Sequence, residues 1–83
     1  MKVRIVTNNF VTPVMLNPQI VKINEKHFTI QYKEFIPIDN GKGSPMSFAI
    51  SKDVKEIVLP IIYFKKLNRF LNEALSHIAE VQL

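Results

Sequence analysis

In the last third of the chain Phe64, Leu67, Leu71, Ala74, Ile78 and Val81 recur at intervals of three and four residues. That spacing predicts one continuous helix over residues 61–81, IIYFKKLNRFLNEALSHIAEV, with an apolar stripe along one side. No Gly or Pro interrupts the segment, and Leu, Lys, Arg, Glu and Ala favour helix. Two covers for the stripe stay open. One is the chain's own sheet. The other is a dimer seam through Phe64, Leu67, Leu71, Leu75 and Ile78, because three-four spacing is what helix–helix seams use.

Upstream the pattern changes to period two. Residues 2–7, KVRIVT, set Val3 and Ile5 against Lys2 and Arg4 and read as a half-buried strand. Residues 10–18 are apolar but carry Pro13 and Pro18, which argues for an extended edge or connector over a central strand. Residues 19–24 and 27–38 read as a hairpin around Asn24-Glu25-Lys26. In the second strand Phe28, Ile30 and Tyr32 alternate with Thr29, Gln31 and Lys33. Phe35 then falls on the Lys33 side, so either a bulge lies near Glu34 or Phe35 occupies the polar face.

Residues 39–45, DNGKGSP, hold both glycines and form a loop carrying Lys42. Residues 46–51 make a further strand, with Met46, Phe48 and Ile50 on one face. Asp53 and Glu56 match a helix-capping box and predict a helical turn kinked at Pro60. A strand over 54–59, with the helix starting at Pro60, is the alternative. The expected fold is α+β: a small antiparallel sheet of about four strands followed by one long C-terminal helix packed on one face, in a single domain over residues 1–83.

Composition sharpens this in three ways. With 47% hydrophobic residues the chain is built to fold, and at 83 residues its core is small enough that a dimer would help it. The absence of Cys excludes disulfides and thiolate metal sites and fits a cytoplasmic setting. The first ten residues lack the apolar core of a signal peptide, and the longest apolar run is too short to span a membrane, so no membrane partner is expected. His27 and His77 stand apart without ligand partners, and the carboxylates are scattered. Neither a nucleophile elbow nor a phosphate-binding loop is present. The reading is of a protein that is not an enzyme and carries no cofactor or metal.

The net charge of +4 leans toward a polyanionic partner. If the apolar strand positions face the helix, the opposite face carries Lys2, Arg4, Lys22, Thr29, Gln31, Lys33, Ser47 and Ala49, with Phe35 beside them. Cations that track phosphates and an aromatic that stacks on bases are the means of binding single-stranded nucleic acid. An ordinary solvated face has a similar composition. Lys65, Lys66 and Arg69 on the helix read as solvation, since Glu73 and Glu80 share that side.

The stretch FTIQYKEFIPIDNGKGSPMSFAIS, followed by a long helix, resembles the transcriptional coactivator family called positive cofactor four. Lys33, Glu34 and Phe35 stand where that family has a basic residue, Glu and an aromatic. Residues 39–45 stand for its Gly- and Lys-containing loop, and residues 48–51 for its last strand. Met46-Ser47 replaces its usual Lys-Gly. The resemblance implies a helix-mediated homodimer that binds single-stranded DNA through Lys22, Lys33, Phe35 and Lys42, with a role in transcription regulation. A protein-interaction module docking through the helix stripe or a strand edge is the competing expectation.

Overall fold

The structure is a computed structural model, and it describes residues 1–38, 47–73 and 78–83. It is mostly β. Strands β1 (Lys2–Val6), β2 (Met15–Ile23), β3 (His27–Ile38), β4 (Ser47–Ile50), β5 (Lys55–Pro60) and β6 (Ile78–Gln82) form one mixed sheet. A 3-10 turn (Ile61–Tyr63) runs into a two-turn helix, α1 (Phe64–Leu71). The expectation of about four antiparallel strands and one long C-terminal helix is therefore corrected. The described residues form six strands, and α1 ends at Leu71. Asn72 N–H donates to Arg69 C=O and Glu73 N–H to Phe70 C=O, closing α1 with tight i to i−3 bonds. Among the described residues, no helix is long and apolar enough to cross a membrane.

The long helix fails because residues 78–82, IAEVQ, satisfy two periods at once. Ile78 and Val81 continue the helical stripe, yet Ala79 and Val81 also alternate with polar neighbours. The open edge of β1 decides between them. β6 pairs parallel to β1, from Lys2 opposite Ile78 to Val6 opposite Gln82. Ala79 and Val81 are thereby buried beside Val3 and Ile5. Burial against a neighbouring strand outweighs the weak intrinsic preference for helix.

β1 and β2 are joined by a turn in which Thr7 Oγ1 accepts the N–H groups of Asn9 and Phe10. The returning chain bonds back through Thr12, whose N–H donates to Ile5 C=O and whose Oγ1 accepts Ile5 N–H. β2 then runs between β1 and β3, through Pro18. Pro13 and Pro18 both argue against a central strand. The structure keeps Pro13 out but admits Pro18 at a register shift between Leu16 and Gln19, where Asn17 takes a φ of 50°. Asn is among the few non-glycine residues that tolerate that conformation. The β2–β3 turn is as expected: Asn24 Oδ1 accepts the N–H groups of Lys26 and His27.

β3 is the spine. One edge pairs with β2. The other pairs with β5 along residues 27–32 and then with β4 along residues 35–38. The chain between β4 and β5 bulges outward opposite Lys33 and Glu34. Ser51 bridges the gap: its Oγ accepts Glu34 N–H at 2.8 Å and donates to Asp53 C=O at 3.0 Å. The helical turn expected from Asp53 is accordingly absent. The alternative holds, with strand up to Pro60 and the helical segment beginning after it. Phe35 also resolves. β3 carries no bulge at Glu34, and Phe35 lies on the Lys33 side.

α1 crosses one face of the sheet, from β5 on one edge to β6 on the other. Leu67 is fully buried against Val3, Ile5, Met15, Phe28, Ile30, Leu59 and Val81. The Phe64 ring meets Phe28 edge-on at 5.5 Å. This consumes the stripe. Phe64 and Leu71 pack partly buried on the same core, and Ile78 has left the helix for β6. The residues of the expected helix–helix seam therefore do not share one helix: Leu67 is in the core, Phe64 and Leu71 lie partly buried on it, Ile78 is on β6, and Leu75 lies outside the described residues.

Candidate nucleic-acid interface

The face of the sheet turned away from α1, the outer face, is fixed by strand register. On β1 it presents Lys2, Arg4 and Val6, and on β6 Ile78, Glu80 and Gln82. Lys2 pairs with Leu16, Leu16 with Lys33, and Lys22 with Thr29. Four of the expected site residues, Lys2, Arg4, Lys33 and Phe35, thus sit close together across β1 to β3. Lys22 shares the face but lies beyond the β2 register shift, toward the far end of the hairpin. Lys42 lies outside the described residues, with the rest of its loop.

The aromatic part of the site differs from expectation. Apolar alternation along β4 puts Ser47 and Ala49 on the outer face, and the pairing reverses this. Phe35 stands opposite Ile50, and Pro37 opposite Phe48, so Phe48 and Ile50 are the outer residues of β4. Phe35 and Phe48 stack, with ring centroids 4.5 Å apart and planes 16° from parallel. Lys2 Nζ lies 4.8 Å from the Phe35 ring centre, a cation–π contact. Phe48 was missed because its strand was oriented by its apolar alternation. In a two-stranded extension beyond α1 the described residues form no core for that alternation to face. The parity of Phe35 was the available signal, since a hairpin partner places its residues on the same side.

Beside this pair a hollow of about 260 Å³ opens between β2 and β3, with Leu16, Asn17, Gln19, Gln31, Tyr32 and Lys33 among its lining residues and Val54 at its side. Gln31 Nε2 donates to Glu56 Oε1 at 2.8 Å, which leaves its carbonyl oxygen as the unspent end. Arg4 stands opposite Glu80. Its Nε is enclosed and has no hydrogen-bond partner among the described residues. Tyr32, on the α1 side of β3 at the level of the hollow, has its hydroxyl pKa raised, first by burial and second by the nearby Glu34 carboxylate.

His27 is exposed at the start of β3, and His77 lies outside the described residues. No group of three or more metal-ligating side chains occurs among the described residues. Lys65, Lys66 and Arg69 line a separate shallow depression beside Ile62 on α1.

In comparisons with known proteins, no family model, no curated protein and no solved structure matches the chain. Nothing therefore ties it to the positive cofactor four family. The strand after α1 also departs from the helix-last order on which that resemblance rested.

Proposed function

We propose that the chain binds single-stranded nucleic acid across the outer face. The observation that carries this reading is the stacked Phe35–Phe48 pair, capped by Lys2 and flanked by Arg4 and Lys33 on the same surface. The exposed side of a stacked aromatic is a platform for a base, contributing about 1–3 kcal/mol per base. The three cations stand where the phosphates of a short strand would pass. The amide-rich hollow beside Lys33 offers hydrogen bonds to base edges.

The face is not uniformly basic. Among its described strand residues Glu56 and Glu80 oppose Lys2, Arg4, Lys22 and Lys33. A short site of a few nucleotides fits this balance better than a long electrostatic track. Docking through a helix stripe is not carried forward, because Leu67 is buried in the core and Ile78 and Val81 lie on β6 and not on the helix.

The test is fluorescence anisotropy of a labelled single-stranded oligonucleotide at two salt concentrations, with duplex as competitor. Binding should weaken with salt and prefer the single strand. Phe48→Ala, which removes the ring whose outer face is open, should lower affinity by about 1–3 kcal/mol, roughly 5- to 150-fold, with little change in salt dependence. Lys33→Glu should lower affinity and flatten the salt slope by about 0.7 per lost phosphate contact. Affinity unchanged in both variants would remove the outer face from the mechanism.

A further inference from the structure

Beyond the body of the sheet, residues 35–38 of β3 and Ser47–Ile50 of β4 continue as a two-stranded ribbon. Apolar side chains stand on both of its faces, with Ser47 as the polar residue of β4. Phe48 and Ile50 are about half exposed on one side, and Ile36 and Ile38 are exposed on the other. A two-stranded ribbon on its own is marginal in water, and three or more strands are needed for independent stability.

The edges of the sheet are not alike. The free edge of β5 carries Lys55, Glu56 and Pro60; the free half of β2 carries Pro18 and Lys22; β6 carries Glu80. Charges and prolines of this kind protect an edge against pairing. β4, Ser-Phe-Ala-Ile, has neither, and among the described residues no strand pairs with its outer edge. The hydrogen-bonding phase of that edge is also determined. Phe35 N–H donates away from β4, to Val14 C=O at 2.8 Å. Phe35 and Ile50 are therefore a non-hydrogen-bonded pair, and by alternation the backbone groups of Ile50 and Phe48 point outward.

We propose that β4 pairs antiparallel with β4 of a second copy of this chain, about a two-fold axis through Ala49. In that register Phe48 and the partner's Ile50 exchange N–H to C=O bonds on each side of the axis. The two Ala49 residues meet at a non-hydrogen-bonded position, where side chains approach most closely and a small one is needed. A second copy fits better than an unrelated strand for two reasons. The same short segment supplies both complementary halves, as an isologous contact requires. The described strand residues of the ribbon also bear no charge, so no like-charged pair stands directly opposite across the two β4 strands.

The result is a four-stranded ribbon in which Phe35 and Phe48 of one copy continue into the same pair of the other. Two outer faces join into one surface. The contact is small beside the roughly 1,200–2,000 Å² of a stable interface, so the dimer is reversible and depends on concentration. Dimerisation does not rest on nucleic-acid binding and is measured without an oligonucleotide.

Sedimentation equilibrium from about 1 µM to about 1 mM should show the average mass rising from one copy toward two. Ile50→Lys, which puts a charge on the edge, should hold it at one copy with unchanged circular dichroism. Because the chain has no Cys, Ala49→Cys supplies a single thiol. With oxidised glutathione it should give a linked dimer, since facing Cβ atoms at such a pair come within reach of a disulfide. Val58→Cys, exposed on β5, should stay unlinked. One copy at every concentration, or Ala49→Cys linking no faster than Val58→Cys, would overturn the pairing.

Discussion

β3 is one strand with two different environments, and the contrast between its halves explains most of the molecule. Along residues 27–32 it has β2 on one edge, β5 on the other and α1 across one face, and Phe28 and Ile30 are 1% and 0% exposed. Along residues 35–38 it has β4 on one edge and, among the described residues, no helix over it, and Ile36 and Ile38 are 39% and 41% exposed. The residue types hardly differ. What differs is what is laid against them. The first half is a core, and the second is a surface built from core-like side chains. Stability should therefore reside in the first half and recognition in the second.

The sharpest way to break this contrast is to truncate one apolar residue in each half. Phe28→Ala removes a fully buried ring that also meets Phe64, and it should cost about 3–5 kcal/mol. Ile38→Ala should fall within about 0.5 kcal/mol, as exposed substitutions do. Urea denaturation measures both. Similar costs at the two positions would mean that the ribbon is packed against something the isolated chain already supplies.

The same contrast shows where the sequence was readable. The first half of β3, its turn at Asn24 and β1 each combine clear alternation with a covered face, and pattern alone located them. The basic part of the outer face followed, because Lys2, Arg4 and Lys33 are the polar partners of buried residues. The failures lie where local pattern and tertiary cover part company. Residues 78–82 fit helix and strand equally, and only the open edge of β1 makes them β6. Phe48 and Ile50 look like core residues by their alternation, yet they stand about half exposed on the outer face. Pro18 looked like a strand breaker, and a left-handed Asn17 beside it lets the strand pass.

Ser51 is the joint between the two halves, since its hydroxyl takes the Glu34 N–H where the β4–β5 bulge leaves the ladder. Ser51→Ala should cost about 1 kcal/mol, the usual loss for one such bond in a partly buried site. Native-state hydrogen exchange should show faster exchange at Glu34, while the amides of residues 28–31 keep their protection. If protection fell equally in both halves, they would be one cooperative unit and the division proposed for β3 would be too strong.

The smallest effect concerns Tyr32, the last residue of the covered half. Burial and then the Glu34 carboxylate hold its folded pKa above the ordinary 10.0. The folded chain thus keeps the phenolic proton more tightly than the unfolded chain does. The stability linked to that proton is fully present below pH 10 and is lost as pH rises through the higher folded value. Thermal melts between about pH 8 and pH 12 should show an alkaline decline with a Tyr32 share, and Tyr32→Phe should remove that share while leaving the neutral-pH melting point nearly unchanged. Glu34→Gln should act in the same direction but less, because burial is the larger cause. An alkaline decline identical in all three chains would place Tyr32 in water, and the covered half of β3 would then end one pleat earlier, at Ile30.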